Sequence, residues 1–185
     1  MTAILPGMEE EKVASALASG KAFVDLSSWR KVDVSGPRAL SWLSSLGSAD
    51  VTNLAPGRAE PTVFSSQSGS RAEVTVALAG PNILVLQDPA QTESVFDLLA
   101  DARVSEEVAI DDRSDALALF SFPGASVAPD VAGTAFSAPS CVGTGVDVFA
   151  LADDHDYLLG SLQRGFALAS LAQVRAWLEG RSKAG

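Results

Sequence analysis

The residue types best suited to acid–base or metal chemistry gather in one short segment, Asp153-Asp154-His155-Asp156. Carboxylates beside an imidazole could hold a divalent cation. The segment lies between two apolar stretches, where acidic residues are also typical of solvated turns. Because no remote group of ligands accompanies it, we interpret the segment as a turn. His155 is the only histidine and no G-x-S-x-G motif is present, so nothing in the sequence indicates a Ser-His-Asp triad.

Two further segments contain residue types that are reactive or bind nucleotides in other proteins. Cys141 is the single cysteine and lies in an apolar stretch without a nearby cation to lower its pKa, so we expect an inert buried thiol. Gly143-Thr144-Gly145 lacks the additional glycines and the lysine of phosphate-binding loops, which indicates a simple turn. The sequence therefore predicts no metal site and no nucleotide loop.

The composition limits the class of protein and the kinds of partner. The 185 residues, 47% apolar and 19% charged, fit one large domain or two small subdomains packed as one. Net charge is −10, from 23 acidic and 13 basic residues, and the basic residues are scattered rather than clustered. Nucleic acid and anionic membranes are therefore not expected partners. No apolar run approaches the roughly 18 residues that span a bilayer, and residues 1–12 lack a signal-peptide pattern, so the prediction is cytoplasmic.

Hydrophobic periodicity and turn residues predict the elements that position these side chains. Helices are expected at 8–19, after Ser35 as N-cap, at 89–99 and at 167–178. Strands are expected at 22–26, 31–34, twice within 62–79, and at 83–86, 108–110, 116–122, 147–152 and 157–162. Helices between hairpins indicate an α+β fold with a mainly antiparallel sheet and packed helices.

The Ala-, Gly-, Pro- and Ser-rich stretch 123–139 is the expected internal boundary. It separates an α+β module at 1–122 from a β-hairpin and helix at 140–180, packed on the same module. A polar tail is expected at 181–185.

A series of landmarks follows a fixed order through the first half of the chain. Asp25-Leu26-Ser27 closes a predicted strand, Ser35-Gly36-Pro37 opens a predicted helix, and Pro56-Gly57-Arg58-Ala59 is a tight turn. Glu73-Val74-Thr75-Val76 and Asp88-Pro89-Ala90-Gln91 come next. This series resembles the glycine-cleavage T-protein family of aminomethyltransferases and its folate-dependent demethylase relatives, whose pattern runs D-L-S, V-S-G-P-D-A, N-D-V, P-G-R, G-G-I-x-x-D-L-T-V and N-A-A-N. The resemblance implies a folate-binding module with tetrahydrofolate as cofactor, here without the family's C-terminal β-barrel domain.

On this resemblance, Glu73 is the candidate catalytic residue. In the family, a carboxylate of the G-G-I-x-x-D segment lies beside the reactive nitrogens of tetrahydrofolate, where it can orient an amine or stabilise developing positive charge. Glu in place of Asp moves the charge one methylene further out, and a displacement of about 1 Å can lower a rate about a hundredfold. The alternation of the strand allows a second interpretation, in which Glu73 is an ordinary solvent-facing side chain.

The resemblance also indicates residues for cofactor contacts. Asp88 and Gln91 replace the polar ends of N-A-A-N and could bond a pterin edge, although both are also common helix-start residues. Arg58 and Lys31 could bind the carboxylates of a folate tail, or be ordinary surface charges.

The segment from Val142 to Ala150 resembles the family's Y-T-G-E-D-G-F-E. Thr144 is retained and is a further candidate for a cofactor contact, whereas Ala150 replaces the final Glu, which reads the pterin ring. Ala cannot accept the pterin N–H donors, and a buried donor left unpaired costs about 1–3 kcal/mol, so the resemblance implies a reduced folate affinity.

A second resemblance concerns the C-terminal end. The series Tyr157-Leu158-Leu159, Arg164-Gly165-Phe166-Ala167 and Trp177-Leu178 is similar to the end of the gamma subunit of heterotetrameric sarcosine oxidase, a short T-protein-like chain within an assembly. It implies a partner subunit or a homo-oligomer. Two functions remain open at this point: a folate-binding module that is degenerate or needs a partner for catalysis, and a non-catalytic subunit or scaffold.

Overall fold

The computed structural model describes residues 6–66, 69–102, 107–131, 133–137 and 142–182. Within these residues the helices are α1 (Pro6–Ala18), α2 (Ala39–Leu46), α3 (Val95–Ala102), α4 (His155–Leu162) and α5 (Leu171–Ser182), with a 3-10 turn at Ala152–Asp154. The strands are β1 (Ala22–Asp25), β2 (Arg30–Ser35), β3 (Arg58–Ser65), β4 (Arg71–Ala79), β5 (Asn82–Gln87), β6 (Ala109–Asp112), β7 (Leu117–Pro123), β8 (Thr134–Ser137), β9 (Gly145–Leu151) and β10 (Ala167–Leu168).

The described strands form one sheet in the order β10-β1-β7-β9-β8-β3-β4-β5-β2-β6. Its neighbours pair antiparallel, except for the parallel pairs β1 with β10 and β3 with β8. With helices packed on the sheet, the predicted α+β class and mainly antiparallel sheet are confirmed. Among the described helices, none combines the length and the apolar composition that a membrane crossing requires.

The alternation of β4 assigns its side chains to the two faces of the sheet. Val74 and Val76 belong to the core cluster that contains α2 and α3, whereas Ala77 belongs to the cluster that contains α1 and α5. Glu73 is four positions before Ala77 and therefore lies on the same face, the α5 side of the sheet, near the beginning of β4. A third cluster packs beneath α4.

The Ser-Gly-Pro landmark connects β2 to α2. Gly36 has φ +118°, and a Cβ there would collide with the carbonyl oxygen of Glu107, so the position requires glycine. The prediction that Ser35 caps the helix is wrong. Ser35 is the last residue of β2, and the cap position belongs to Arg38, which makes no side-chain cap bond.

The C-terminal third contains the clearest errors of the predicted elements. The predicted strand at 157–162 is helix α4, because Asp156 lies in its first turn and Leu158 and Leu162, one turn apart, are buried together. The final helix begins later than predicted, at Leu171, because Ala167–Leu168 pairs with β1, and it continues through Ser182 into the predicted tail. β8 lies inside the stretch predicted as a loop; the domain boundary at 123–139 stays a prediction.

Candidate functional site

A cleft of about 550 Å³ opens on the α5 side of the sheet, where β4 begins and β5 ends. Its walls come from β3, β4, the loop after β5, the turn before β2, and α5. The lining residues are Trp29, Ser48, Pro61, Thr62, Val63, Glu73, Val74, Thr75, Leu86, Asp88, Ala90, Gln91 and Arg175. The structure thus brings Glu73, Asp88 and Gln91, three candidates from the sequence, into one cleft.

The loop at residues 88–94 replaces the first turns of the helix that was predicted to begin at Pro89. Arg30 Nη1 donates hydrogen bonds to Gln87 Oε1 at 2.8 Å and to the carbonyl oxygens of Gln91 at 3.2 Å and Glu93 at 3.1 Å. Gln87, fully buried, also bonds the Glu93 carbonyl and the Val95 N–H. Since these side chains satisfy the backbone groups of the loop, the segment is held in a non-helical path and α3 begins at Val95.

Gln91 is already engaged within the protein. Its Nε2 donates to the carbonyl oxygen of Glu73 at 2.7 Å, and its Oε1 accepts from the Glu73 N–H at 2.9 Å. Its side-chain amide therefore pairs with the backbone of β4 in this structure.

Glu73 differs from the other polar residues of the cleft. Its side chain is exposed, and its carboxylate makes no hydrogen bond or ion pair with any residue that the structure describes. A carboxylate in a cleft without a protein partner can accept N–H donors of a ligand or stabilise positive charge on it.

Asp88 pairs with a residue that the sequence analysis did not single out. Arg175 Nη2 of α5 donates to Asp88 Oδ2 at 2.7 Å, and the Ala90 N–H donates to Asp88 Oδ1 at 2.8 Å. The Asp88 side chain is 16% exposed, while that of Arg175 is 59% exposed. No other hydrogen bond of the guanidinium involves a described residue, and Arg175 lines the cleft. No sequence spacing indicated this contact, because 87 residues separate the partners.

A second cleft, of about 490 Å³, adjoins the first and shares Trp29 and Asp88 with it. Its walls come from the end of β1, the turn that follows, and the beginning of α5. Most of this lining is apolar, and Ser170 and Gln173 on its rim bond each other in a capping box at the start of α5.

The other sequence candidates lie elsewhere. Arg58, at the beginning of β3, pairs in register with Leu78, far along the strand from the Val63–Glu73 row, and lines a separate small depression. Thr144 precedes β9, with its carbonyl bonded to the Gly124 N–H. Neither lines the Glu73 cleft. Ala150 is buried in the cluster beneath α4, and Cys141 lies outside the described residues.

A second polar cluster surrounds His155, at the beginning of α4. Its Nε2 lies 2.8 Å from Asp25 Oδ2, its Nδ1 lies 3.0 Å from Asp156 Oδ1, and its ring stacks on Phe120. Hydrogen bonds that the His155 ring donates to Asp25 and Asp156 raise the pKa of His155, while burial opposes them. At Asp25, burial acts to raise the pKa, but hydrogen bonds with Ser27 and His155 outweigh it, so the pKa is lowered. The described residues contain no group of three potential ligands arranged for a metal ion.

Lys31, whose charged form is favoured by Asp25 of this cluster, is fully buried, so the expectation of a surface charge available to a folate tail is wrong. Its Nζ donates to the carbonyl oxygens of Ser27 at 2.7 Å, Trp29 at 2.8 Å and Ser114 at 3.1 Å. Burial lowers its pKa to about 8, although nearby carboxylates favour the charged form. Lys31 therefore ties the turn between β1 and β2 to the turn before β7.

The mainly antiparallel sheet and its packed helices define an α+β module with an open polar cleft. The chain belongs to the family described as the GCVT N-terminal domain, whose model matches residues 7–136. The resemblance to the T-protein family is thereby confirmed. The match includes Asp25, Glu73 and Asp88 but ends before α4 and α5, which supply His155 and Arg175.

The relatives found by comparison are longer aminomethyltransferases. The chain is 30% identical over 111 residues to an aminomethyltransferase of Lysinibacillus sphaericus (strain C3-41), an alignment that covers 59% of this chain and 30% of the relative. The crystal structure of the glycine cleavage system aminomethyltransferase T from Bartonella henselae superposes with a TM-score of 0.64 at 14% identity, over 87% of this chain and 52% of that one. This likeness shows the shared fold. The chain thus spans less than a third of the curated relative and about half of the structural one.

A chain of the heterotetrameric sarcosine oxidase from Corynebacterium sp. U-96, in complex with pyrrole 2-carboxylate, superposes with a TM-score of 0.44 at 13% identity. That superposition covers 91% of this chain and 94% of the other.

Proposed function

We propose that this chain binds a reduced folate in the Glu73 cleft, with the Glu73 carboxylate facing N–H groups of the ligand. The observation that carries the proposal is the lack of any partner for this carboxylate among the described residues. The cleft volume of about 550 Å³ lies within the range typical of small-molecule sites, so the cleft can hold the ring system of a folate. Reduced folate would supply nitrogens that carry a one-carbon group.

The neighbouring residues fit such a ligand in different ways. Arg175 offers guanidinium donors that bond no described residue, and such donors suit a ligand carboxylate. Asp88 holds Arg175 in place, and Trp29 lines the wall that this cleft shares with the adjoining one. Arg58 and Thr144 have no part in the proposal.

Binding is the activity that these residues support for the chain alone. Of the charged groups that line the cleft among the described residues, Glu73 is the one without a protein partner. Ala150, aligned with the family's pterin-reading glutamate, is packed in the core. One-carbon transfer would therefore need groups beyond those in the cleft, such as groups from a partner chain.

The proposal is tested by titrating 5-formyl-tetrahydrofolate into the chain by calorimetry. A variant that keeps only Trp29 of the three tryptophans, with Trp42→Phe and Trp177→Phe, reports the cleft by fluorescence. Glu73→Gln should weaken binding about tenfold to a hundredfold, since a hydrogen bond to a charged group contributes about 1.5–3 kcal/mol. Glu60→Gln on the neighbouring strand is the matched control and should bind as the wild type does. No binding at millimolar ligand, or equal affinities for both variants, contradicts the proposal.

A second function, a non-catalytic subunit with a T-protein-like fold, is favoured by the pairing of Asp88 and Gln91 within the chain. Both side chains are engaged in protein contacts and need no ligand. Sedimentation velocity of the purified chain tests this function, which requires a stable complex with a partner chain or with a second copy. A strictly monomeric chain that binds folate would eliminate it.

A further inference from the structure

β5 ends before it reaches Glu73, and this leaves one edge of β4 without a neighbouring strand there. The last paired row between the two strands joins Thr75 to Leu86. Glu73 lies two residues before Thr75, so its N–H and C=O point to the same edge as those of Thr75. Without a neighbouring strand, these two backbone groups would have no partner on that side.

The side chain of Gln91 supplies that pairing. The Glu73 N–H donates to Oε1 at 2.9 Å, and Nε2 donates to the Glu73 carbonyl oxygen at 2.7 Å. A planar amide presents one acceptor and one donor side by side, as a residue of an adjacent strand does. If the amide were turned over, its NH2 would face the Glu73 N–H and its oxygen would face the Glu73 carbonyl oxygen, so these bonds fix one orientation of the amide.

Gln91 is itself held by the loop. Its N–H donates to the Asp88 carbonyl oxygen at 3.2 Å, and its own carbonyl oxygen accepts from Arg30 at 3.2 Å. The chain of contacts from Arg30 through Gln91 to Glu73 therefore fixes the backbone position from which the Glu73 side chain extends.

We propose that Gln91 is a positioning residue, which fixes the backbone of Glu73 and thereby the carboxylate, and does not contact the ligand. This inference rests on the proposed folate-binding role of Glu73. It reassigns Gln91 from the ligand-contacting role expected from the sequence.

The positioning itself is tested without ligand, by amide hydrogen exchange followed by NMR. Gln91→Leu keeps the approximate side-chain size and removes the amide, so exchange at the Glu73 amide should become about tenfold faster. The Ala77 amide, within the β4–β5 ladder, should keep its rate. Gln163→Leu is the matched control, because Gln163 is exposed and its side chain bonds no described residue. An unchanged rate at Glu73 overturns the proposal.

The action through Glu73 is tested by a double-mutant cycle on 5-formyl-tetrahydrofolate affinity. Gln91→Leu should weaken binding about tenfold in the wild type but less than about twofold in the Glu73→Gln background. Equal losses in both backgrounds mean that Gln91 acts independently of Glu73 and contradict the proposal. Absence of binding in the wild type overturns the folate proposal, while the exchange experiment still decides the positioning. If Gln91→Leu does not fold, Gln91→Glu, which keeps an acceptor and loses the donor, takes its place in both experiments.

Discussion

Two polar contacts, one from α4 and one from α5 to the family-matched part of the chain, differ in how completely their charges are paired. At α4, His155 has a carboxylate on each ring nitrogen and an aromatic ring against its face. At α5, Arg175 uses one hydrogen bond to Asp88 and leaves its other donors exposed, beside a Glu73 carboxylate without a described partner. We infer that the His155 cluster holds the fold together, whereas the Glu73 cleft is open to a ligand.

The largest expected effect is on the His155 side of this comparison. Lys31→Ala should lower the free energy of unfolding by about 3 kcal/mol, because it removes a buried side chain and leaves one buried and two partly buried carbonyl groups without their donor. Urea unfolding measures the change. Lys21→Ala, at an exposed lysine, should cost less than about 0.5 kcal/mol. Equal losses would mean that the buried ammonium does not hold the two turns.

An intermediate effect depends on pH. Because Asp25 and Asp156 raise the pKa of His155 above its ordinary value of 6.5, the imidazolium stabilises the fold below 6.5 and loses this effect as the pH rises through the raised pKa. The lowered pKa of Asp25 acts at acidic pH. Its carboxylate stabilises the fold above pH 3.8, and this stabilisation is lost as the pH falls through the lowered pKa.

His155→Gln should therefore cost about 1 kcal/mol near pH 6 and progressively less at alkaline pH. Urea unfolding of both proteins across this range measures the difference. Asp153→Asn, in the same turn, is the control and should show no such dependence. A difference that is constant between pH 6 and 9 would show that the charge of His155 does not matter.

The smallest expected effect on stability is in the Glu73 cleft. Arg175→Gln should change the free energy of unfolding by less than about 0.5 kcal/mol, because the guanidinium is largely exposed. The same variant should weaken 5-formyl-tetrahydrofolate binding about fivefold, through loss of a charged donor. Arg181→Gln, on the same helix but outside the cleft, should leave the affinity unchanged. A large loss of stability with no loss of affinity would reverse the roles of the two regions.

The sequence predicted those parts of the fold that local chemistry determines. Asp25 ends β1, and Gly57, with φ +74°, forms the turn into β3. The strand that contains Glu73 and the strand before it, β4 and β3, were predicted for the same reason, since alternation and turn residues are local signals. α4 was predicted as a strand because its apolar residues suit both periods over so short a segment.

The candidate site was predictable in part. The family pattern indicated Glu73, Asp88 and Gln91, which the fold brings into one cleft. The two contacts from the C-terminal helices were missed because Asp88–Arg175 and Asp25–His155 join residues 87 and 130 positions apart. Lys31 was misjudged because burial of a lysine against carbonyl groups depends on two separate turns, and no local pattern indicates it.

The division of roles between the Glu73 cleft and the His155 cluster is tested most directly by mapping backbone amide shifts while 5-formyl-tetrahydrofolate is added. The account predicts that the shifts concentrate at Glu73, Gln91 and Arg175 and leave His155 and Asp156 unchanged. Shifts centred on His155, or no shifts at millimolar ligand, would contradict it.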